Sequence, residues 1–293
     1  MNPTPTPRIH LIAVLYNHAP WIEVCLEAAR VQTLPPWQIT VIDNCSSDDG
    51  ADIVARRFPE VRIIRSPRNL GFSGGCNRGV QAARGADYLV MINPDAILAL
   101  DALERLHAAF TARSDMGILG CKLLEPDVET IQHVGVRIAG NGFTSNVGQG
   151  EIDRGQYKGV REATAVSGAV MAARADVWCE LGGFDETFWP AYFEETDLCL
   201  RARRAGWGVG VACDAVATHF RASAERWQDR RFLENYFASR GRFLCKHYRG
   251  KDWLAKYLPA ELRWMCGSGS NGMRAMALRA LWQAHKLPAA ATR

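Results

Sequence analysis

Short apolar runs alternate with amphipathic stretches along the first 124 residues of the chain. The runs have the length of buried strands, and the stretches between them repeat apolar residues at the spacing of one helix face. Strands that alternate with helices favour an α/β fold with a parallel sheet and right-handed crossovers. The pattern predicts strands at 9–15, 38–42, 61–65, 89–92 and 117–121, and helices at 20–31, 51–58, a stretch ending near 84, and 101–112.

The pattern is weaker after residue 121. Residues 135–158 are rich in Gly, Asn and Gln, which predicts a flexible flap or an acceptor loop. Beyond residue 225, helices are expected on both sides of the Gly- and Ser-rich segment 267–272. The elements predicted between these two segments are a strand at 165–172, a helix from Glu195 to a left-handed cap at Gly206, and a strand at 209–213.

Two of the predicted strands end on a carboxylate. Asp43 follows the strand at 38–42, and Asp95 follows the strand at 89–92 after Asn93 and Pro94. In open α/β sheets, ligands bind outside the carboxyl ends of the strands. Asp43 is therefore expected to accept from a base N–H or a ribose hydroxyl, and Asp95 to bind a metal ion that carries a diphosphate. The alternatives are a plain turn after Asp43, and a helix cap at Asp95.

A glycine-rich segment, 68–79, precedes the Asp95 strand. Its glycines at 71, 74, 75 and 79 do not fit the GxGxxG spacing of a dinucleotide site. The segment is expected to be a loop that lets the backbone approach a nucleotide, with Arg68 and Asn77 as polar contacts. A loop that serves only helix packing is the alternative.

The stretch 181–201 is the densest in aromatic and acidic residues. Glu194, Glu195 and Asp197 fall in the first turn of a predicted helix and follow five aromatic side chains. The helix dipole favours acids at this position, so capping is the simple explanation. Three acids exceed what capping requires, which favours a functional site.

Composition and cysteine usage narrow the class of protein. The chain is 48% hydrophobic and 23% charged, with no internal repeat and no uninterrupted apolar run of membrane-spanning length. Residues 1–7 lack the apolar segment of a signal peptide. Nine scattered cysteines without a CxxC pair favour reduced thiols in a cytoplasmic protein, and argue against a zinc site or a disulfide framework.

Charge is distributed unevenly along the chain. Residues 225–293 hold 14 Lys and Arg against 5 Asp and Glu, whereas residues 1–224 hold 21 and 26. This basic tail contains Trp227, Trp253, Trp264 and Trp282. A basic, tryptophan-containing tail on a mildly acidic body fits an anionic membrane surface or a phosphorylated lipid better than a nucleic acid.

Six motifs, in order, resemble those of family-2 glycosyltransferases with the GT-A fold, and most closely the bacterial rhamnosyltransferase-like enzymes of cell-surface polysaccharide assembly. The similarity runs from about residue 9 to residue 247. It implies a Rossmann-like, mostly parallel central sheet flanked by helices, followed by a C-terminal helical extension. The motifs are Tyr16-Asn17, Val41-Ile-Asp-Asn44, Asn69-Leu-Gly-Phe72, Asn93-Pro-Asp95, Gly182-Gly-Phe-Asp-Glu186 and Phe193-Glu-Glu-Thr-Asp-Leu-Cys-Leu-Arg201.

The resemblance also implies an organisation and roles for residues. Residues 1–224 would form the catalytic domain, with a nucleotide-sugar half at about 8–120 and an acceptor half at 121–224, and residues 225–293 a helical tail. Asp95 and His219 would bind Mn²⁺ or Mg²⁺, with Asn93 where the first Asp of the DxD motif usually stands. Glu195 would be the catalytic base, with Glu194 and Asp197 as alternatives. Acceptor contacts are expected from Asp185, Trp189 and Tyr192, and donor contacts from Tyr16, Asn17, Asp43, Asn44, Arg68, Asn69, Gly71, Asn77, Asn93 and Asp95.

The implied reaction is an inverting, metal-dependent transfer of a sugar to a hydroxyl of a glycan or of a polyprenyl-diphosphate-linked glycan. Deoxythymidine-diphosphate rhamnose is the expected donor, ahead of uridine-diphosphate hexoses. The protein is expected in the cytoplasm, with residues 225–293 contacting the inner face of the membrane. Two other classes of protein are alternatives, an NAD(P)-dependent oxidoreductase and a non-catalytic sugar-nucleotide-binding module. The glycine positions argue against an NAD(P)-dependent oxidoreductase, and the acids at 95, 195 and 197 argue against a non-catalytic sugar-nucleotide-binding module.

Overall fold

The computed structural model describes residues 6–220, 229–267 and 271–285. The strands are β1 (Ile9–Leu15), β2 (Gln38–Asp43), β3 (Arg62–Arg65), β4 (Tyr88–Ile92), β5 (Ala96–Leu98), β6 (Met116–Leu124), β7 (Ile131–His133), β8 (Val136–Ile138), β9 (Thr144–Asn146), β10 (Val160–Glu162), β11 (Val170–Arg174) and β12 (Gly208–His219). The α-helices are α1 (Ala19–Arg30), α2 (Gly50–Arg57), α3 (Gly71–Val80), α4 (Ala102–Ala112), α5 (Ala175–Leu181), α6 (Glu194–Arg204), α7 (Arg230–His247), α8 (Leu258–Gly267) and α9 (Asn271–His285). A 3₁₀ turn, Glu186–Phe188, precedes α6, and a π-helical turn, Trp253–Tyr257, precedes α8.

The first four long strands form a parallel group around β1. Ala13 of β1 pairs with Val41 of β2 on one side and with Ile92 of β4 on the other. β3 extends this group in parallel beyond β2. Because parallel strands end at the same edge, the residues that follow β1, β2 and β4 lie side by side.

The rest of the sheet is mixed. The strand order is β10-β12-β6-β11-β4-β1-β2-β3, with β5 against β12 and β7 against β6. β11 runs antiparallel between β4 and β6, while β12 is parallel to β6. The predicted α/β class is confirmed, but the expectation of a mostly parallel sheet holds only for β1 to β4 and for β6 with β12. Without a helical crossover before it, β11 enters the sheet in the opposite direction.

The sheet separates two apolar layers. Leu11, Ala13 and Leu15 of β1 face the layer that contains α1, α2 and α4, whereas Ile12 and Val14 face the layer that contains α3, α5 and α6. This alternation follows from the two-residue period of a strand. β1 is buried on both faces, which explains why its sequence is an unbroken apolar run.

The glycine-rich segment is a helix, not the predicted loop. A Cβ atom at Gly75 would lie 2.6 Å from Cγ1 of Val14, and one at Gly79 would lie 2.4 Å from Cγ2 of Ile12. The glycines therefore let α3 lie directly on β1, and helix packing explains most of them. Gly71 differs because its φ is +73° and it begins the helix.

Residues 136–146 form a hairpin, not a flexible flap. β8 and β9 pair in antiparallel fashion, and the segment between them is held by the tail. Arg240 of α7 donates from Nε to the carbonyl oxygen of Asn141 at 2.8 Å and forms a buried ion pair with Glu261 of α8. The Asn141 amide donates to the same carboxylate at 2.9 Å. These contacts fix the hairpin despite its loop-like composition.

The tail helices pack on the body and on one another. Three residues of α7 share an apolar cluster with Phe188 and Phe193, which precede α6. They are Phe232, Tyr236 and Phe237. α9 lies so close to α7 that a Cβ at Gly241 would be 3.0 Å from the Ala280 carbonyl oxygen. Helices on both sides of the 267–272 segment are confirmed. Among the described helices, none is both long enough and apolar enough to cross a membrane. Trp227 and the predicted boundary at residue 224 lie outside the described residues.

Candidate active site

Polar residues gather at the common edge where β1, β2 and β4 end. Tyr16 follows β1 and is 45% exposed, and the side-chain oxygen of Asn17 accepts from the Ser47 backbone N–H at 2.8 Å. Asp43 ends β2 and is buried. Its Oδ1 accepts from the backbone N–H of Ser46 at 3.0 Å, so the carboxylate has the local turn partner that the sequence did not reveal. Its Oδ2 lies 3.6 Å from Arg65.

A side-chain amide network fixes the entrance to α3. The Asn44 amide donates to the Gly71 carbonyl oxygen at 3.0 Å, and its oxygen accepts from the Leu70 N–H at 2.8 Å. Asn69 accepts from the Gly71 N–H at 2.7 Å. Asn44 is buried and occupied by these bonds, so it holds the Asn69–Gly71 turn in place. This turn is where the predicted backbone approach to a nucleotide falls.

The aromatic segment before α6 covers that turn. The Phe72 N–H donates to the Pro190 carbonyl oxygen at 2.9 Å, and the Trp189 indole N–H lies 3.4 Å from the Asn69 carbonyl oxygen. A Cβ at Gly71 would lie 2.7 Å from the Pro190 oxygen, so glycine is required for this approach. Trp189 is 52% exposed at this border between predicted donor and acceptor residues.

The other two predicted acceptor residues contact other parts of the protein. Asp185 accepts from Lys246 of α7 at 2.5 Å and from the Thr187 N–H and hydroxyl. Burial raises the pKa of Asp185, but these hydrogen bonds outweigh it and the net shift is downward. Tyr192 packs edge-on against Phe232, with ring centroids 5.3 Å apart. Asp185 and Tyr192 therefore join the segment to α7. Their contact with an acceptor stays a prediction.

Asp95 and His219 meet through β5. This short strand runs antiparallel to the end of β12, so that Ala96 pairs with His219. Nε2 of His219 lies 3.4 Å from Oδ1 of Asp95, which is 2% exposed. A cap on α4 does not account for Asp95, because β5 intervenes and Asp101 is the residue before that helix.

Gln132 fixes the orientation of the His219 ring. Its NH₂ group donates to the His219 carbonyl oxygen and to Glu125, both at 3.0 Å, so its oxygen faces Nδ1 of the ring at 2.7 Å. An amide oxygen only accepts, so Nδ1 carries the proton. In the neutral ring, Nε2 then presents its lone pair toward Asp95, as in many metal-binding histidines.

The geometry of this pair fits a divalent ion. Two neighbouring ligands at about 2.1 Å from an octahedral ion are roughly 3 Å apart, close to the separation of Nε2 and Oδ1. Among the described residues, no group of three His, Cys, Asp or Glu side chains is arranged to hold a metal ion, so the protein would supply few ligands. Such a site suits an ion that a diphosphate and water also coordinate.

Glu195 lies next to the same region of the chain as Asp95. The Asn93 N–H donates to the Ala169 carbonyl oxygen at 2.9 Å. A Cβ at the preceding residue, Gly168, would lie 4.0 Å from Cδ of Glu195. The turn 167–169 thus lies between the segment that begins at Asn93 and the side chain of Glu195, and is close to both.

The three acids at the start of α6 have different environments. Glu194 is 3% exposed, and its Oε2 has no hydrogen-bond partner. Burial, followed by the charge of Glu195, raises the pKa of Glu194 well above its usual value. Glu195 is half-buried beside Gly168. Only Glu195 of the three combines solvent access with a position next to the turn 167–169.

Asp197 is fully buried and has three basic partners. It accepts from Arg201 at 2.8 Å, from His247 at 2.8 Å and from Lys246 at 2.9 Å. Burial raises the pKa of Asp197, but the His247 hydrogen bond and the charges of Arg201 and Lys246 outweigh it, and the pKa falls to about 2. A carboxylate held in this way is a weak base, which corrects the expectation that Asp197 is a catalytic alternative to Glu195.

The remaining predicted contacts lie farther from the strand ends. Arg68 is exposed on the segment before α3. Asn77 donates to the Phe184 carbonyl oxygen and to Glu186, both at 2.9 Å, and so joins α3 to the segment before α6. It lines a cavity of about 930 Å³ that also includes Gly85 and Leu89 near the start of β4. That cavity is at the opposite end of β4 from Asp95. The nucleotide contact of Asn77 stays a prediction.

A family model described as Glycosyl transferase family 2 matches residues 11–160, just over half of the chain. The chain belongs to glycosyl transferase family 2. The match covers every strand from β2 to β9 and ends at the first residue of β10, and thus includes Asp43 and Asp95. The resemblance seen in the motifs is therefore confirmed at the level of the family.

Curated relatives of this family-2 glycosyltransferase include two rhamnosyltransferases. An N-acetylglucosaminyl-diphospho-decaprenol L-rhamnosyltransferase of Mycobacterium tuberculosis (strain H37Rv) is 25% identical over 88% of this chain and 89% of its own length. The O-antigen chain rhamnosyltransferase WbaN of Salmonella anatum is 26% identical over 84% of this chain and 76% of its own length. Among solved structures, the mannosyltransferase PcManGT from Pyrobaculum calidifontis, in complex with GDP-Man and Mn²⁺, has a TM-score of 0.58 at 18% identity and covers 99% of this chain and 79% of its own. That likeness supports the GT-A fold alone.

Several residues of this family-2 glycosyltransferase's site carried no signal of their own in the sequence. Gln132 lies in the aperiodic part of the chain, and its role depends on the pairing of β7 with β6. Lys246 and His247 end the basic helix α7, but their bonds to Asp197 span about 50 residues. The role of these two residues becomes visible only once α7 is seen to pack on α6.

Proposed function

We propose that the protein is an inverting glycosyltransferase that transfers a sugar from a nucleoside diphosphate to an acceptor hydroxyl. The single observation that carries this proposal is that the turn 167–169 lies beside Glu195 and is bonded to Asn93, two residues before the Asp95 that pairs with His219. A glycosyl unit bound over this turn has a cation-binding pair on its diphosphate side and a carboxylate on its other side. Inversion by single displacement requires these two poles.

In the proposed mechanism, Glu195 accepts the proton of the acceptor hydroxyl while that oxygen attacks C1 of the sugar. The bond between C1 and the diphosphate oxygen breaks at the same time, and the diphosphate leaves with the electron pair. Asp95 and His219 would hold a divalent ion, which would supply positive charge to the departing diphosphate. An imidazole next to a carboxylate favours Mn²⁺ over Mg²⁺.

Other residues at the strand ends position the donor. We assign the base and ribose to Tyr16, Asn17, Asp43 and Arg68, and the diphosphate to the Asn69–Gly71 turn and to Asn93. Gly71 begins α3, so the helix dipole favours a diphosphate near this turn, while the N–H groups of Leu70, Gly71 and Phe72 are bonded within the protein. Trp189 borders the acceptor side and offers an exposed aromatic face to a sugar ring.

The names of the relatives support a finer proposal for both substrates. We propose L-rhamnose, carried by deoxythymidine diphosphate, as the donor sugar, because two relatives that span most of the chain are named rhamnosyltransferases. A polyprenyl-diphosphate-linked glycan is the proposed acceptor, since one of these names specifies a decaprenol-linked sugar. Residues 1–224 are then the catalytic domain, and residues 225–293 the tail that meets the membrane carrying the acceptor.

A thermal-shift panel tests the proposal. Ligands that bind the native state raise the apparent melting temperature. We expect deoxythymidine diphosphate–rhamnose to raise it in the presence of Mn²⁺ and to raise it less in the presence of EDTA, with NAD⁺ and NADP⁺ as inactive comparisons. The same samples, incubated with an acceptor glycan, should release the nucleoside diphosphate. A panel in which no nucleoside-diphosphate sugar shifts the transition, with or without Mn²⁺, would refute the assignment.

A further inference from the structure

One side of the tail carries an exposed row of leucines. Leu254 is 72% exposed, Leu258 44% and Leu262 52%. They are spaced by four residues across the π-helical turn and α8, so they lie along one side of a continuous helical segment. An exposed leucine is ordinary by itself, but a row of three on one helix side forms an apolar surface without cover from the described part of the chain.

Basic side chains flank this leucine row. Arg249, Lys251, Lys256 and Arg263 are all exposed. Within 249–267, which the structure describes completely, the acidic residues are Asp252, which pairs with Lys256 at 2.8 Å, and the buried Glu261. The segment therefore combines an exposed leucine row with exposed basic side chains, the composition of an interfacial amphipathic helix.

The side of the segment next to the leucine row is firmly attached to the body. Tyr257 and Glu261 are buried, and Glu261 forms the ion pair with Arg240 of α7. A Cβ at Gly140 of the hairpin would lie 2.5 Å from the Lys256 carbonyl oxygen, so the backbone of the segment lies directly on the hairpin. With this side fixed, the leucine row cannot turn inward without breaking buried polar contacts.

We propose that the leucine row is a docking surface for an anionic lipid bilayer, with Leu254, Leu258 and Leu262 entering the headgroup region and the flanking Arg and Lys contacting lipid phosphates. The inference deepens the proposed function, because it names the part of the tail that meets the membrane of a lipid-linked acceptor. A second copy of the chain fits this surface less well. In a two-fold dimer the same basic side chains would face one another, and like charges would repel.

Vesicle flotation of the full chain tests the surface. We expect the protein to float with phosphatidylglycerol–phosphatidylethanolamine vesicles and to remain at the bottom with phosphatidylcholine vesicles. The variant L254S/L258S/L262S should bind the anionic vesicles at least tenfold more weakly. The variant K251Q/R263Q should lose part of the binding and much of its salt dependence. A matched control, V24S/L100S/V128S, replaces three comparably exposed aliphatic residues on the body and should float as the unaltered protein does.

Two results would overturn the inference: a leucine-row variant that floats as well as the control, or an unaltered protein that stays at the bottom with anionic vesicles. A dimer that dissociates in the leucine-row variant would identify a second copy as the occupant and overturn it as well.

Circular dichroism confirms that each variant is folded. Donor hydrolysis in solution distinguishes a failure of the docking surface from a failure of the proposed function. The hydrolysis rate should be equal in the leucine-row variant and the control. Hydrolysis that is absent in all variants, with flotation intact, would refute the proposed function and leave the docking surface standing.

Discussion

Among single residues, the environments of similar side chains differ enough to separate their roles. Glu194 and Glu195 are adjacent, yet Glu194 is buried with a raised pKa and Glu195 is half-buried beside the turn 167–169. A carboxyl that is only 3% exposed is not accessible to an acceptor hydroxyl. Burial therefore distinguishes two residues that sequence motifs leave almost equivalent.

The orientation of His219 depends on one buried amide. Replacing Gln132 with Met removes the oxygen that accepts from Nδ1 while nearly keeping the side-chain volume. Because partners of this kind orient metal-binding histidines, we expect Mn²⁺ affinity to fall by about 10- to 100-fold. The measurement is a Mn²⁺ titration of nucleoside-diphosphate binding by calorimetry. Gln156→Met, at an exposed glutamine, is the matched control. Equal Mn²⁺ midpoints for the two variants would show that Gln132 does not orient a metal-binding ring.

At the scale of elements, the basic end of α7 holds the start of α6. Lys246 bridges Asp185 and Asp197, and His247 bonds to the second of these. The first turn of α6, which carries Glu195, is thereby fixed from the tail. Tyr192 and Phe193, just before this turn, have positive φ values of 81° and 72°, and contacts with Phe232, Tyr236 and Phe243 hold these two strained residues.

Asp197→Asn should destabilise the protein. It leaves Arg201 without its buried counter-charge and Lys246 with Asp185 alone, and breaking such a network costs about 3 kcal/mol. We expect this loss in urea unfolding at pH 7. Since the pKa of Asp197 is lowered to about 2, its contribution is complete above about pH 4 and disappears as the pH falls toward 2, so the variant and the unaltered protein should converge there. Asp252→Asn, at an exposed pair, should leave the unfolding curve unchanged. A stable Asp197→Asn would mean that α7 does not hold α6 through this carboxylate.

The packing of α3 on β1 reverses the usual effect of Gly→Ala in a helix. Alanine normally stabilises a helix interior by about 1 kcal/mol relative to glycine. At Gly79, however, the new Cβ would lie 2.4 Å from Ile12 in the fully buried β1, and overpacking of this kind costs about 1–3 kcal/mol. We expect Gly79→Ala to lower the free energy of unfolding, measured by chemical denaturation. Gly267→Ala, which meets nothing within 4 Å, should be neutral or stabilising. Stabilisation by Gly79→Ala would contradict this account of α3.

These elements also show what the sequence could predict. β1, β2 and β4 were predictable because strands buried on both faces are unbroken apolar runs. The position of α3 was not predictable, because its glycines favour loops locally and are required only by the contact with β1. The meeting of Asp95 with His219 was expected from a family motif, but it depends on the antiparallel register of β5 and β12, which no local pattern encodes. The hairpin 136–146 has a loop-like composition and is fixed by Arg240 and Glu261, which lie about 100 residues away.

Across the whole molecule, the candidate site draws on distant parts of the chain. Asp95 follows a strand of the parallel group, His219 ends the last strand, and Glu195 begins a helix of the opposite layer. α7 then connects α6 to α8, through Asp197 on one side and Glu261 on the other. The tail is thus in contact both with the helix that carries the proposed base and with the segment that carries the leucine row.

The most direct measurement of the central claim compares sugar transfer by Glu195→Gln and Glu194→Gln at saturating donor, with donor affinity measured in parallel. We expect both variants to bind the donor as the unaltered protein does. Glu195→Gln should transfer at least about 100-fold more slowly, because it lacks the base. Glu194→Gln should stay within about threefold of the unaltered rate, because Glu194 is buried away from the acceptor and the amide nearly keeps its shape. Full transfer by Glu195→Gln, or an equal loss in both variants, would contradict the account.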